Sequence, residues 1–134
     1  MRNAKRIAFL TLSASLASVC SVSYAKTEKH GLLSIEQSGI ASYYSDKMHG
    51  QRTANGEVYD KNALTAAHPS LPFGSLVRVV NLSNNRSVDL RINSRAGHRN
   101  RRLLDVSKQA AKELGFVQAG LAKVKLEVLR FGDA

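Results

Sequence analysis

The sequence predicts a mainly β domain, in which several short strands form a small closed structure with one short helix. Two alternating runs and one helical stretch predict it. Val88, Leu90 and Ile92 alternate strictly with Asp89 and Arg91, which puts the apolar residues on one face of a strand. Val124, Leu126 and Val128 alternate in the same way with Lys123, Lys125 and Glu127. Helical spacing occurs at Ala110, Ala111 and Leu114, bracketed by Ser107 as N-cap and Gly115 at the C′ position. Short strands divided by turn residues, with a single helix among them, suggest a closed β-structure rather than a βαβ sheet.

The elements follow in order along the chain. Arg2, Lys5 and Arg6 precede an uncharged run from Ile7 to Ala25 that ends in Ser23-Tyr24-Ala25. A charged start, an apolar middle and a small-x-small end define a secretory signal peptide, expected to be cut after Ala25. A retained anchor would need a strongly apolar stretch of about 20 residues, whereas this run carries six serines and threonines. Cys20 is the sole cysteine, so no disulfide forms within the chain. It admits a second route, lipidation after cleavage in front of the cysteine, although Ala17-Ser18-Val19 fits such a site poorly. Only on that route would the protein carry a membrane anchor. Residues 26–37 read as a leader and residues 38–131 as one domain, with no repeat and no second domain expected.

Within the domain, Gly39-Ile40-Ala41-Ser42-Tyr43-Tyr44 is strand-like, and its alternation sends Tyr43 and Tyr44 to opposite faces. They are aromatic binding platforms or core aromatics. Leu76 to Asn81 is a Val-rich strand joined to the Val88–Ile92 strand through Ser83-Asn84-Asn85, where Asn tolerates positive φ. On the helix, Lys108, Lys112 and Glu113 are expected to face water, with Lys112 near the C-terminal end that favours a cation.

Composition narrows the function. There are 20 Lys and Arg residues against 10 Asp and Glu; without the three signal-peptide charges the balance is 17 to 10, a net of +7. A basic balance favours polyanionic partners. Export makes envelope polymers the better candidates, and no pattern matches a nucleic-acid module, so no nucleic acid partner is expected. His30, His49, His68 and His98 are scattered, without the spacing of a metal site. No G-x-S-x-G, Ser-His-Asp order or phosphate-cradling glycine loop is present. No metal or cofactor is implied.

Two segments carry more specific information. One runs Thr53-Ala54-Asn55-Gly56-Glu57, then Leu64-Thr65-Ala66-Ala67-His68, then Leu71-Pro72-Phe73-Gly74. The other runs Arg91-Ile92-Asn93-Ser94-Arg95, then Leu103-Leu104-Asp105-Val106-Ser107. In these runs, and over about Gly39 to Leu129, the chain resembles the rare lipoprotein A (RlpA) family. The resemblance implies a six-stranded double-psi β-barrel with a groove across one face. It also implies endolytic transglycosylation of peptidoglycan: cleavage between N-acetylmuramic acid and N-acetylglucosamine, leaving 1,6-anhydromuramyl ends. The partner would be the glycan strand, no cofactor would be needed, and a monomer is expected. Expansins share the barrel, so a catalytically impaired, expansin-like glycan-binding protein is the alternative.

Such a transglycosylase needs one carboxylic acid, because the sugar's own 6-hydroxyl is the nucleophile. Asp105 is the first candidate, since it follows two leucines and partial burial would raise its pKa; its other reading is an electrostatic partner for the helix start. The resemblance adds Glu57, His68 and the position of Ser94 to the catalytic set, and Asn55, Tyr43, Tyr44 and Arg95 to the substrate-binding one. Gly56 is expected to shape its loop through a positive-φ turn. At position 94 the family carries aspartate, whereas this chain has serine, followed by Ala96-Gly97 where the family has Gly-Pro. Serine cannot donate a proton as a carboxylic acid does, and losing an assisting acid costs on the order of 10²–10⁴-fold.

Overall fold

The computed structural model describes residues 34–97 and 101–133. The expected signal peptide over 1–25, Cys20, most of the leader, His30 and His98 lie outside the described residues. Among the described residues there are six strands, β1 (Glu36–Tyr43), β2 (Thr65–Ala67), β3 (Leu76–Asn81), β4 (Ser87–Ser94), β5 (Leu104–Val106) and β6 (Ala122–Arg130), with helix α1 (Lys108–Leu114) between β5 and β6. They close into a barrel in the order β1-β5-β2-β4-β3-β6. The pairs β1–β5 and β2–β4 are parallel, and the other four contacts are antiparallel. This is the expected double-psi architecture.

Alternation explains the closure. Val77 and Val79 on β3 sit opposite Leu90 and Val88 on β4, and Val79 also sits opposite Leu126 on β6. These side chains, with Ile92, Leu104, Val106 and Val124, are buried inside the barrel. Burying each such aliphatic group contributes about 1.5–3 kcal/mol relative to exposure, and a closed barrel leaves no free sheet edge. On the outer face, Arg78 and Asp89 form a cross-strand ion pair at 2.9 Å. Strand β1 begins at Glu36, inside the expected leader, because Glu36 and Gln37 pair with Glu127 and Leu126.

Helix α1 packs Ala110, Ala111 and Leu114 against the barrel. The Ser107 side chain accepts from the Ala110 N–H, as the sequence predicts of an N-cap. Lys108 departs from its expected place in water. Its Nζ pairs with Asp46 at 3.2 Å and stands 5.6 Å above the Tyr43 ring. At the other end, Asn81 and Asn84 each donate an Nδ2–H to the Leu114 carbonyl at 2.9 Å. The β3–β4 turn therefore caps the helix, with Asn85 itself at φ 60°. Gly115 has φ 78°, and a Cβ there would lie 2.8 Å from Arg86 Nη1. Gly115→Ala is expected to cost about 1–2 kcal/mol from the left-handed backbone alone, read as a lower denaturant midpoint with the slope unchanged.

Candidate active site

The site starts from an irregularity in one strand. Ala66 on β2 pairs with Ile92 on β4, but Ala67 pairs with Ser94, so Asn93 is an extra residue. Simple alternation would send Ser94 inward behind Val88, Leu90 and Ile92. The bulge re-aims it, and Ser94 joins the outward face of Ala67. Across the other edge of β2, Ala67 pairs with Asp105 on β5, and Asp105 pairs with Ser42 on β1. Ser42, Asp105, Ala67 and Ser94 thus form one row across four strands. Asp105 and Ser94 flank the small Ala67 methyl, about two strand spacings or roughly 10 Å apart at Cα.

Tyr44 extends this face, its N–H continuing the β1 ladder to the Val106 carbonyl at 3.1 Å. Its ring meets Tyr59 edge-on, with centroids 4.8 Å apart. Burial, together with the charges of Asp105 and Tyr59, raises the phenol to about 12 although the Ser94 hydroxyl pulls the other way. Tyr44 is therefore a neutral O–H donor at any physiological pH. Beside it lies a cavity of about 130 Å³ lined by Tyr44, Met48, Thr53, Tyr59, Ser94 and Arg95 among others. Tyr43 points elsewhere: its hydroxyl donates to the Val117 carbonyl at 2.7 Å and its ring packs on Phe116. Of the two tyrosines, Tyr44 alone lines this cavity.

Asp105 is partly exposed, with 24% of its side chain accessible. Its Oδ1 accepts from the Ser42 hydroxyl, and Arg102 Nη1 lies 3.7 Å away. Ser94 Oγ accepts from the Ala54 N–H at 3.1 Å, latching the 53–57 loop to β4.

That loop is tied mostly to itself. Thr53 N–H donates to the Glu57 carbonyl at 2.7 Å and Gly56 N–H to the Thr53 carbonyl at 3.0 Å, with Gly56 at φ 91° as expected. Asn55 Oδ1 accepts from Thr53 Oγ1 and the Glu57 N–H, while its Nδ2 donates to Glu57. The Asn55 amide is thus committed to shaping the loop. Arg91 grips Glu57 with both nitrogens at 2.7 and 2.8 Å, and Asn93 Nδ2 adds a third contact at 3.1 Å. The Arg91 pair, chiefly, lowers the Glu57 pKa to about 2. A proton donor needs the opposite shift; held in this way, Glu57 anchors the loop.

His68 is buried, only 2% exposed; its Nε2 bonds Gln37 Oε1 at 2.8 Å, and its Nδ1 accepts the Ser70 and Leu71 N–H groups at 3.0 Å. Desolvation first, then the charge of Arg95, lowers its pKa to about 4. Both nitrogens are occupied and the ring is neutral, which suits a structural clamp between β1 and β2 better than proton transfer. Arg95 in turn donates to the Leu71 carbonyl at 2.7 Å and lies 4.0 Å from the Phe73 ring centroid, while lining the cavity. Ser42, Tyr59, Arg91 and Arg102 escaped the sequence reading. Strand register and contacts distant in sequence bring them in, and neither leaves a local pattern.

A closed six-stranded barrel with this strand order, carrying an aspartate and an aromatic cavity on one outer face, defines a double-psi β-barrel domain. The family described as lytic transglycolase matches residues 36–126, and the chain belongs to it. It is similar to the "Endolytic peptidoglycan transglycosylase RlpA" of Campylobacter jejuni, 48% identical over 96 residues, or 72% of this chain and 35% of that protein. The protein of the same name from Neisseria meningitidis serogroup A is 48% identical over 108 residues, covering 81% of this chain and 45% of its own. The chain thus spans less than half the length of these relatives. Among solved structures, the apo expansin of Clavibacter michiganensis shares the fold with a TM-score of 0.58 at 16% identity, over 75% of this chain and 53% of that one.

Acid should destabilise the domain in two stages. Unfolded His68 takes up a proton near 6.5 but folded His68 only near 4, so its contribution is complete above 6.5 and is lost as pH falls to 4. The loss is up to about 3 kcal/mol. Unfolded Glu57 protonates near 4.5 and folded Glu57 near 2, so its contribution is complete above 4.5 and is gone by about 2. Denaturant midpoints measured from pH 7 to 2 check both stages, and His68→Gln should flatten the first.

Proposed function

We propose that the chain is an exported endolytic lytic transglycosylase of peptidoglycan. On this reading it cleaves the glycan backbone between N-acetylmuramic acid and N-acetylglucosamine and leaves 1,6-anhydromuramyl ends. One observation carries the reading: in the row across β1, β5, β2 and β4, Asp105 is the carboxyl group presented on the outer face beside Tyr44. The names of relatives 48% identical to it support the same chemistry.

Asp105 protonates the glycosidic oxygen as the bond from the muramic acid C1 breaks. The resulting carboxylate then takes the proton of the sugar's own 6-hydroxyl as that oxygen bonds to C1. No water enters and the acid is restored, so a second carboxylate is not required. Tyr44, held protonated, donates a hydrogen bond on the face where the sugar lies, and Ser94 keeps the loop closed against β4. The glycan strand is the partner and the cell envelope the site of action, reached through the signal peptide over residues 1–25. A second reading has its own support: Ser94 supplies a hydroxyl where the family carries a carboxylate, which fits a glycan-binding protein with weak or absent cleavage.

Incubation with peptide-stripped sacculi, followed by mass spectrometry for 1,6-anhydromuramyl ends, separates the two readings. Asp105→Asn should reduce product by about 10²–10⁴-fold while leaving sacculus binding in place. Product unchanged by that substitution would remove Asp105 from the mechanism. Saturable pelleting without product would favour the binder, and Ser94→Asp should then raise cleavage.

A further inference from the structure

Asp105 is held by a hydrogen-bond chain that has a direction. Ser42 is buried on β1, in register with Asp105. Its hydroxyl donates to Asp105 Oδ1 and accepts from Arg102 Nη1 at 2.8 Å. A guanidinium has donors only, and a serine hydroxyl has a single proton. With Arg102 filling a lone pair of Ser42 Oγ, that proton is left to point at Oδ1. Oδ1 is then the accepting oxygen of the carboxyl group, and any proton Asp105 carries sits on Oδ2.

We propose that Ser42 and Arg102 are positioning residues that reserve Oδ2 of Asp105 for the transferable proton. The inference rests on the reading of Asp105 as the acid. A carboxyl group has two chemically equal oxygens, and only a partner that tells them apart can stop the proton from occupying the wrong one. Arg102 sets the Ser42 hydroxyl, and the Ser42 hydroxyl sets the carboxyl. Neither residue needs to touch the glycan. Their loss would slow the chemical step without weakening substrate binding, because misplacing a reacting group by about 1 Å can cost on the order of 10²-fold in rate.

The test uses the mature protein and soluble, peptide-stripped glycan strands. Ser42→Ala should lower kcat by about 10- to 100-fold with KM within about twofold. Ser42→Thr, which keeps the hydroxyl, should recover most of the rate, and Arg102→Ala should fall between. Wild-type kcat in Ser42→Ala, a loss confined to KM, or Ser42→Thr as slow as Ser42→Ala would overturn the proposal. If the wild-type protein forms no anhydro ends, the enzymatic reading fails and side-chain NMR decides this one separately. Couplings reporting one Asp105 χ1 rotamer in wild type and averaging in Ser42→Ala support the positioning role; the same single rotamer in both refutes it.

Discussion

The three residues of β2 hold the site together, because they are hydrogen-bonded on both sides. Thr65–Ala67 runs parallel to β4 and antiparallel to β5, and the barrel closes through it. Its register fixes which residues of two distant segments share the outer face. A slip of one position would turn Asp105 inward and Leu104 and Val106 outward, since strand side chains alternate with a period of two. The bulge at Asn93 does the complementary work on β4. Aligning the site is therefore inseparable from packing the core.

Charge follows the same economy. Among the described residues, Glu36, Asp46, Glu57, Asp89 and Asp105 lie within 4 Å of a lysine or arginine nitrogen. Most of these pairs are exposed and contribute little to stability. The Glu57–Arg91 pair differs, being bidentate and backed by two amides, so it fixes a geometry as well as contributing energy. Asp105 has a lighter hold from one hydroxyl and a more distant guanidinium. Similar carboxyl groups thus sit in different settings a short way apart on one small barrel.

Much of the fold was legible because its signals are local. Val88, Leu90 and Ile92 alternate, as do Val124, Leu126 and Val128, and each set lies on the predicted strand. Ser107 and Gly115 bracket the helix as their cap chemistry requires. The site was legible only as a set of motifs. The runs around Glu57, His68, Ser94 and Asp105 marked where to look, but burial and partners decide what each side chain does. His68 reads as a lone histidine until the Gln37 side chain and two backbone N–H groups are seen around it. Ser42 carries no signal of its own, because its importance comes from a strand residue 63 positions away in the chain.

The 53–57 loop has one more consequence. Its backbone is closed on itself, stapled to β4 at Asn93 and Ser94, and clamped through Glu57. Ordering a flexible rim around an incoming polymer would consume binding free energy at every encounter. Here that freedom was surrendered once, when the chain folded. A ligand arriving at the Tyr44 cavity meets a wall already standing.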